Sequence, residues 1–204
     1  MKSLVCKQFG PIDDLRIEDC PIPVAGPGKV VINVKAASLN FPDALMVQGL
    51  YQIKPPTPFV PGAEYAGVVH AVGEGVTHIK PGDRVAAFTG YGGFAEYSVA
   101  DATRVMPMPP SMSFEQGAAF VLTYATSYHA LKDVANLQPG ETLLVLGAAG
   151  GVGTTAIQLA KLMGATVIAA ASSAEKLALC TSLGADHIVN YTAADWREQV
   201  NAIV

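Results

Sequence analysis

The sequence predicts a chain of mixed α+β and α/β class, a compact β-barrel followed by a parallel βαβαβ sheet. Up to about residue 105, short β-branched or alternating runs are separated by Pro and Gly clusters, the punctuation of an all-β unit. Past about residue 112 apolar residues recur at helical intervals instead. A glycine cluster at residues 147–153 then stands between an apolar run and a helix-like pattern. At 204 residues the chain has room for one sizeable domain or two small ones. The expected division is 1–115 and 116–204.

In the first part, VVINVKAAS (30–38), EYAGVVHAVG (64–73) and RVAAF (84–88) read as strands. Pro21, Pro23, Pro27 and Gly28 precede the first long one, and KPGDRV (80–85) sets a Pro-Gly-Asp turn before another. The stretch SFEQGAAFVLTYATSYHALKDVA opens with Ser113 and Gln116 at capping-box spacing and reads as helix. LQPGETLLVLG is turn and buried strand, VGTTAIQLAKLMG a helix closed by Gly164, and ATVIAAAS a second buried strand. AEKLALCTSLG is a helix ended by Gly184, ADHIVNY a third strand, and ADWREQVNAIV begins a helix capped by Thr192 or Asp195. Strands alternating with helices imply a parallel sheet with right-handed crossovers.

Half of the residues are hydrophobic and only 15% are charged, so the chain can offset its ordering entropy and fold. The net charge of −4 offers no clustered Lys and Arg to displace counterions, and nucleic acid is not an expected partner. Cys6, Cys20 and Cys180 are odd in number and never in CxxC spacing, which suits reduced thiols. No stretch reaches the roughly 18 uninterrupted apolar residues of a membrane span, and MKSLVCKQFG lacks the apolar core of a signal peptide. A soluble cytoplasmic protein is the expectation, without a membrane partner.

In VLGAAGGVGTTAIQLAKLMGATVIAAASSAEK, Gly147 follows the strand, Ala148 stands at the first position of a GxGxxG fingerprint, and Gly150 and Gly153 fill the other two. Gly150 allows close backbone approach to a pyrophosphate, and Gly153 allows the helix to pack on the sheet. Gly151 is an extra glycine in the cluster, and the helix N-terminus that follows directs free N–H groups and partial positive charge at phosphate. A site for NAD places Asp or Glu about 20 residues onward for the ribose 2′-hydroxyl. Here Ala171, Ser172 and Ser173 stand there, with Lys176 beyond. A carboxylate would repel a 2′-phosphate, whereas two hydroxyls and an ammonium can bind it, so NADPH is favoured over NADH. Ser172 and Ser173 can equally cap the next helix, and Lys176 can be a solvated first-turn residue.

These residues, with ASLNFPDALMVQGLY, PFVPGAEYAGVVHAVGEGV, PGDRV, GGFAEYSV, QGAAFVLTYATSYHAL and LGADHIVNY, carry a resemblance across nearly the whole chain. The sequence resembles the zinc-independent quinone oxidoreductase branch, related to zeta-crystallin, of the medium-chain dehydrogenase/reductases. The resemblance implies a GroES-like barrel followed by a Rossmann domain, NADPH as hydride donor, and quinones or conjugated carbonyl compounds as acceptors. It implies a catalytic cleft at Asn40 and Asp43, with Asn40 and Thr126 also beside the nicotinamide. A pyrophosphate loop is implied at Gly150, Gly151, Val152 and Gly153, and an adenosine-phosphate pocket at Ser172, Lys176 and Tyr191. Read without the family, Asn40 and Asp43 could form an Asx turn around Pro42, and Tyr191 could cover the sheet edge.

Zinc-dependent relatives carry a Gly-His-Glu ligand motif, where this chain has Ala63 in place of His and leaves Glu64 without a partner ligand. Catalytic zinc needs three protein ligands. His70, His78, His129 and His187 are scattered, and no metal site is expected. Several relatives place a tyrosine shortly after the Asn, where this chain has Leu45; Tyr51 lies in a different register. The family's chain also continues beyond the position of Val204, so the resemblance implies only the N-terminal part of the nucleotide domain here, with an unpaired apolar edge on its first strand. A homodimer is implied for the full-length form. Reduction of an enoyl thioester or 2-alkenal, and NADPH binding without catalysis, remain open beside quinone reduction.

Overall fold

A computed structural model describes residues 1–204, which divide into two compact units, Met1–Leu122 and Thr123–Val204. In the first, β1 (Lys2–Val5) and β2 (Arg16–Asp19) form an antiparallel ribbon. The strands β3 (Lys29–Ala37), β4 (Glu64–Val72), β5 (Arg84–Phe88), β6 (Tyr97–Asp101) and β7 (Val105–Pro107) form an antiparallel sheet in the order β6-β3-β4-β5-β7. Register shifts between Val31 and Ile32 and between Val34 and Ala36 interrupt the β3–β4 ladder. Such bulges bend strands and increase their twist, and the sheet curls into a half-barrel. Its concave core is Val30, Ile32, Tyr65, Val69, Val85, Ala87 and Val105. Each aliphatic side chain fully buried there contributes roughly 1.5–3 kcal/mol.

The first unit is not all β. Helix α1 (Phe41–Val47) lies between β3 and β4, in a run expected to be barrel. Seven residues are too few for a periodic apolar pattern, and the helix is set instead by its start. Pro42 sits in the first turn, and the Asp43 carboxylate accepts the Asn40 backbone N–H at 2.8 Å.

The helix expected from Ser113 onward is divided into α2 (Phe114–Ala118), α3 (Val121–Tyr128) and one π-helical segment, His129–Val134. The Ser113 and Gln116 capping box is present. The break has a distant cause. The N–H groups of Val121 and Leu122 donate to the Glu64 carboxylate, whereas an unbroken helix would pair them with carbonyls four residues back.

In the second unit β8 (Thr142–Leu146), β9 (Thr166–Ala171) and β10 (His187–Asn190) form a parallel sheet in the order β10-β9-β8. The connecting helices are α4 (Gly151–Leu162) and α5 (Ala174–Ser182), and α6 (Trp196–Asn201) follows β10. Central β9 is buried along Val167–Ala171, as a parallel strand covered on both faces must be. Helix α4 buries Gly153, Ala156, Ile157 and Ala160, one face at helical spacing.

Strand β8 is an edge strand, with Leu144 and Leu146 exposed. Neither expected residue caps α6 through its side chain. Thr192 donates from its N–H and hydroxyl to Asn190 Oδ1, and Asp195 occupies the cap position with no side-chain bond to the helix backbone, its Oδ2 accepting instead from Gln199 Nε2 at 3.1 Å. No helix is long and apolar enough to cross a membrane.

Candidate functional site

The parallel sheet gathers its connections at the C-terminal ends of the strands. Gly147 follows β8 in the left-handed region at φ 63, turning the chain sharply toward α4. The Gly150 N–H donates to the Gly147 carbonyl at 2.9 Å and closes that turn. A Cβ on Gly153 would lie 2.6 Å from the Gly147 oxygen and 2.7 Å from the Ala148 oxygen, so only glycine lets α4 start this close to β8. The first-turn N–H groups of α4, from Gly151 and Val152 onward, have no intrahelical acceptors and carry the positive end of the helix dipole.

Ala148 differs from its neighbours: its side chain is buried and its N–H donates to the Ala170 carbonyl at 3.0 Å. Two residues the sequence reasoning missed hold this turn. Ser127 Oγ donates to the Val152 carbonyl at 2.9 Å and lies 2.8 Å from Thr155 Oγ1. Both are buried, and no sequence signal separates them from ordinary helix polar residues.

Gly147, Ala149, Gly150, Ala171, Lys176 and Tyr191 line one cleft of about 140 Å³. Typical ligand pockets run roughly 300–1,000 Å³, so this cleft has room for a group smaller than a whole dinucleotide. Ala171 is buried at the end of β9, where an acidic residue would grip a ribose. Lys176 Nζ donates to Ser172 Oγ at 3.1 Å. Ser173 Oγ accepts the Lys176 backbone N–H at 3.4 Å as the N-cap of α5, which leaves its own proton available. The structure thus brings Gly147, Gly150, Lys176 and Tyr191 together, joins Ser172 to Lys176, and exposes Val152 on the first turn of α4. Thr126 is exposed on α3.

In the first unit the polar groups are buried and wired to backbone. Asp43 is only 2% exposed; its Oδ1 accepts the Ala63 N–H at 2.9 Å and its Oδ2 the Asn40 N–H at 2.8 Å. Burial pushes its carboxyl pKa up, partly offset by these N–H donors. Glu64 is fully buried. Its Oε1 accepts from the Val121 N–H in a short bond and from the Leu122 N–H at 3.1 Å, and its Oε2 from the Ser38 hydroxyl at 3.2 Å. Burial raises this carboxyl too; the backbone donors pull it down and the Asp43 charge adds to the rise. Asn40 Nδ2 donates to Ser38 Oγ at 2.8 Å. Asp43 also borders an apolar cavity of about 360 Å³ whose walls include Leu15, Leu39, Ala44 and Phe94. A larger polar cavity, about 510 Å³ beside Cys6, Lys7 and Arg16, contains none of the expected residues.

Glu64 is a role that sequence reasoning missed, since it is a helix anchor rather than a leftover ligand. Tyr51 packs against the cluster of Cys6, Met46, Val47 and Phe59. His70 meets the Tyr97 ring edge-on, and His129 lies 2.9 Å from Asp133. No three His, Cys, Asp or Glu side chains converge.

A curled antiparallel half-barrel and a parallel sheet with a glycine loop at the C-terminal ends of its strands define the architecture of a dehydrogenase or reductase. Residues 26–110 match the alcohol dehydrogenase GroES-like domain, and residues 151–204 the zinc-binding dehydrogenase family. A solved NAD-dependent alcohol dehydrogenase is 37% identical with a TM-score of 0.95, the alignment covering 100% of this chain and 67% of that one. The chain belongs to the medium-chain dehydrogenase/reductase superfamily, with quinone oxidoreductases among its relatives. The quinone oxidoreductase of Thermus thermophilus, solved also in complex with NADPH, is 42% identical with a TM-score of 0.87, over 100% of this chain and 63% of that one. The rat synaptic vesicle membrane protein VAT-1 homolog is 38% identical over 100% of this chain and 51% of its own length. The chain spans about half the length of the curated relatives it matches.

Proposed function

We propose that this chain is the barrel and the first part of the nucleotide domain of an NADPH-dependent oxidoreductase that reduces quinones or related conjugated carbonyl compounds. Residues 1–115 form the catalytic domain and 116–204 the nucleotide-binding part. The observation that carries the cofactor preference is the end of β9, where buried Ala171 replaces an acid and Lys176 bonds to Ser172 in the same region as the glycine loop. The NADPH complex of the Thermus relative supports it.

NADPH, when bound, supplies the hydride. The first-turn N–H groups at Gly151, Val152 and Gly153 hold the pyrophosphate, with Gly147 and Gly150 giving the backbone room to approach. Ser172, Ser173 and Lys176 bind the 2′-phosphate by charge-assisted hydrogen bonds, and Tyr191 covers the adenosine end. Asn40 and Thr126 orient the nicotinamide end. Asp43, with both oxygens held by backbone N–H groups, acts by fixing Asn40 rather than by taking a proton. Rate enhancement then comes from proximity and from polar stabilisation of the oxygen that gains charge. The apolar cavity beside Asp43 favours a flat, weakly polar acceptor. In this reading catalysis uses no zinc, and the protein is cytoplasmic and dimeric in its full-length form, without nucleic acid or membrane partners.

Calorimetric titration with NADPH and NADH tests the cofactor, and NADPH is expected to bind at least roughly tenfold tighter, the scale of one charge-assisted contact. NADPH oxidation assayed in parallel with a quinone and with crotonyl thioester tests the acceptor. Equal affinities would overturn the first assignment. Faster turnover of the thioester would move the assignment to enoyl reduction, and binding without turnover of either would leave a nucleotide-binding role alone.

A further inference from the structure

Four hydrogen bonds in the first unit converge on the Glu64 carboxylate, two from the start of α3 and two in series from Asn40 through Ser38. The Val121 and Leu122 N–H groups donate to Glu64 Oε1, the Ser38 hydroxyl to Glu64 Oε2 at 3.2 Å, and Asn40 Nδ2 to Ser38 Oγ at 2.8 Å. The direction is dictated by proton count. An ionised carboxylate only accepts, so the single Ser38 proton goes to Glu64 and the Ser38 oxygen can only accept from Asn40. Rotating the Asn40 amide by half a turn would set Oδ1 against the Ser38 oxygen with no proton between them. The backbone at both ends is tied as well: the Ser38 N–H donates to the Glu64 carbonyl at 3.2 Å and the Asn40 N–H to Asp43 Oδ2 at 2.8 Å. The Asp43 N–H donates to the Asn40 main-chain carbonyl at 3.0 Å and also faces the Asn40 side chain in a capping box, so the amide oxygen sits at the start of α1, where its second lone pair keeps accepting capacity.

We propose that Ser38 and Glu64 are positioning residues that fix the orientation of the Asn40 amide, so that its carbonyl oxygen, held at the start of α1, keeps a lone pair for a hydrogen-bond donor. The group it would meet is a donor, an amide N–H or a hydroxyl, rather than a bare carbonyl oxygen. The carboxamide of a nicotinamide ring has that chemistry; this last step rests on the reading of Asn40 as a cofactor contact. The orientation itself does not.

The substitution Glu64→Gln reverses the relay without removing the helix anchor. The new side chain must keep its oxygen toward the Val121 and Leu122 N–H groups, so its NH2 turns to Ser38 and donates. The Ser38 proton is then released to Asn40 Oδ1, and the Asn40 amide turns over. Side-chain amide NMR of the cofactor-free protein reads this directly, with the Asn40 signals assigned by their loss in Asn40→Asp.

In the wild type one of the two Asn40 NH2 protons should exchange with solvent roughly tenfold more slowly than in Glu64→Gln or Ser38→Ala, the scale of one hydrogen bond. Ser38→Thr, which keeps the hydroxyl, should restore the slow proton. NADPH affinity should fall roughly tenfold in Glu64→Gln, with no further loss when that change is added to Ser38→Ala, because both cut the same relay. An unchanged slow proton in Glu64→Gln, or Ser38→Thr behaving like Ser38→Ala, would overturn the proposal; the serine pair keeps the test open if the glutamate variant fails to fold. Exchange changes as expected with unmoved NADPH affinity would support the relay and remove Asn40 from the cofactor site.

Discussion

The two units solve the problem of placing polar chemistry in opposite ways. In the parallel sheet the recognising atoms are backbone N–H groups at the start of α4, and glycine supplies the access; Lys176 and Tyr191 stand exposed at the rim. In the half-barrel the polar side chains are buried carboxylates, Asp43 and Glu64, whose oxygens are taken up by backbone N–H and hydroxyl donors. A backbone site is intolerant of added atoms, whereas a buried-carboxylate site is intolerant of lost ones. The second unit is therefore free to vary the side chains at its rim, whereas the first must keep the donors around its carboxylates.

Gly153→Val should give the largest effect. Its Cβ would lie 2.6 Å from the Gly147 oxygen, a backbone atom that cannot step aside, and overpacking of this kind costs about 3 kcal/mol or more. Urea unfolding should register that loss and NADPH binding should vanish, while hydrogen exchange in β3, β4 and β5 stays as slow as before. Protection lost in both units would erase the contrast between them. Asp43→Ala comes next: it strips the acceptors from the Ala63 and Asn40 N–H groups, at about 1–3 kcal/mol for each donor left unpaired. Its cost should appear in β3 and β4 exchange and leave the 2′-phosphate pocket alone.

Lys176→Ala should weaken NADPH roughly tenfold and leave NADH unchanged, as expected for one charge-assisted contact at a solvent-exposed rim. The smallest effect concerns pH. Because folding raises the carboxyl pKa of Glu64 and Asp43, the native state holds those protons more tightly than the unfolded chain does. Their contribution is therefore fully present below the ordinary carboxylate range, near pH 4, and declines as pH rises toward the folded values. Relative to the Glu64→Gln protein, the wild type should lose stability across that interval, read by urea unfolding as a function of pH. A difference that grows in the other direction would show the backbone donors outweighing burial.

Local signals in the sequence carried the architecture. Alternating runs around 30–38, 64–73 and 84–88, the capping box at Ser113 and Gln116, and Gly164 and Gly184 after their helices each act over a few residues, and each is found in the fold. The glycine loop was legible for the same reason, since its geometry is decided by the residues that compose it. Helix α1 was not, because a seven-residue helix has too little length to show a period, and its start depends on Asp43 reaching back to Asn40. The split between α2 and α3 was illegible in a stronger sense. Its cause, the Glu64 carboxylate, lies 57 residues away from Val121, and nothing in the sequence near residue 120 announces it. The same distance hid the purpose of Glu64, which looked like the remnant of a ligand pair. Ser173 shows a partial reading: its capping role was visible, but whether its proton also serves a phosphate depends on a ligand.

The long reach of Glu64 bears on the order in which the chain acquires its shape. Closing a loop of that length comes at an entropic cost that only the assembled half-barrel can offset, so β4 must be seated before the carboxylate can receive the first N–H groups of α3. That contact belongs on the native side of the folding barrier. Removing it with Glu64→Ala should accelerate unfolding while leaving the refolding rate nearly untouched. The start of α3 would then be among the last pieces of the first unit to settle and among the first to let go.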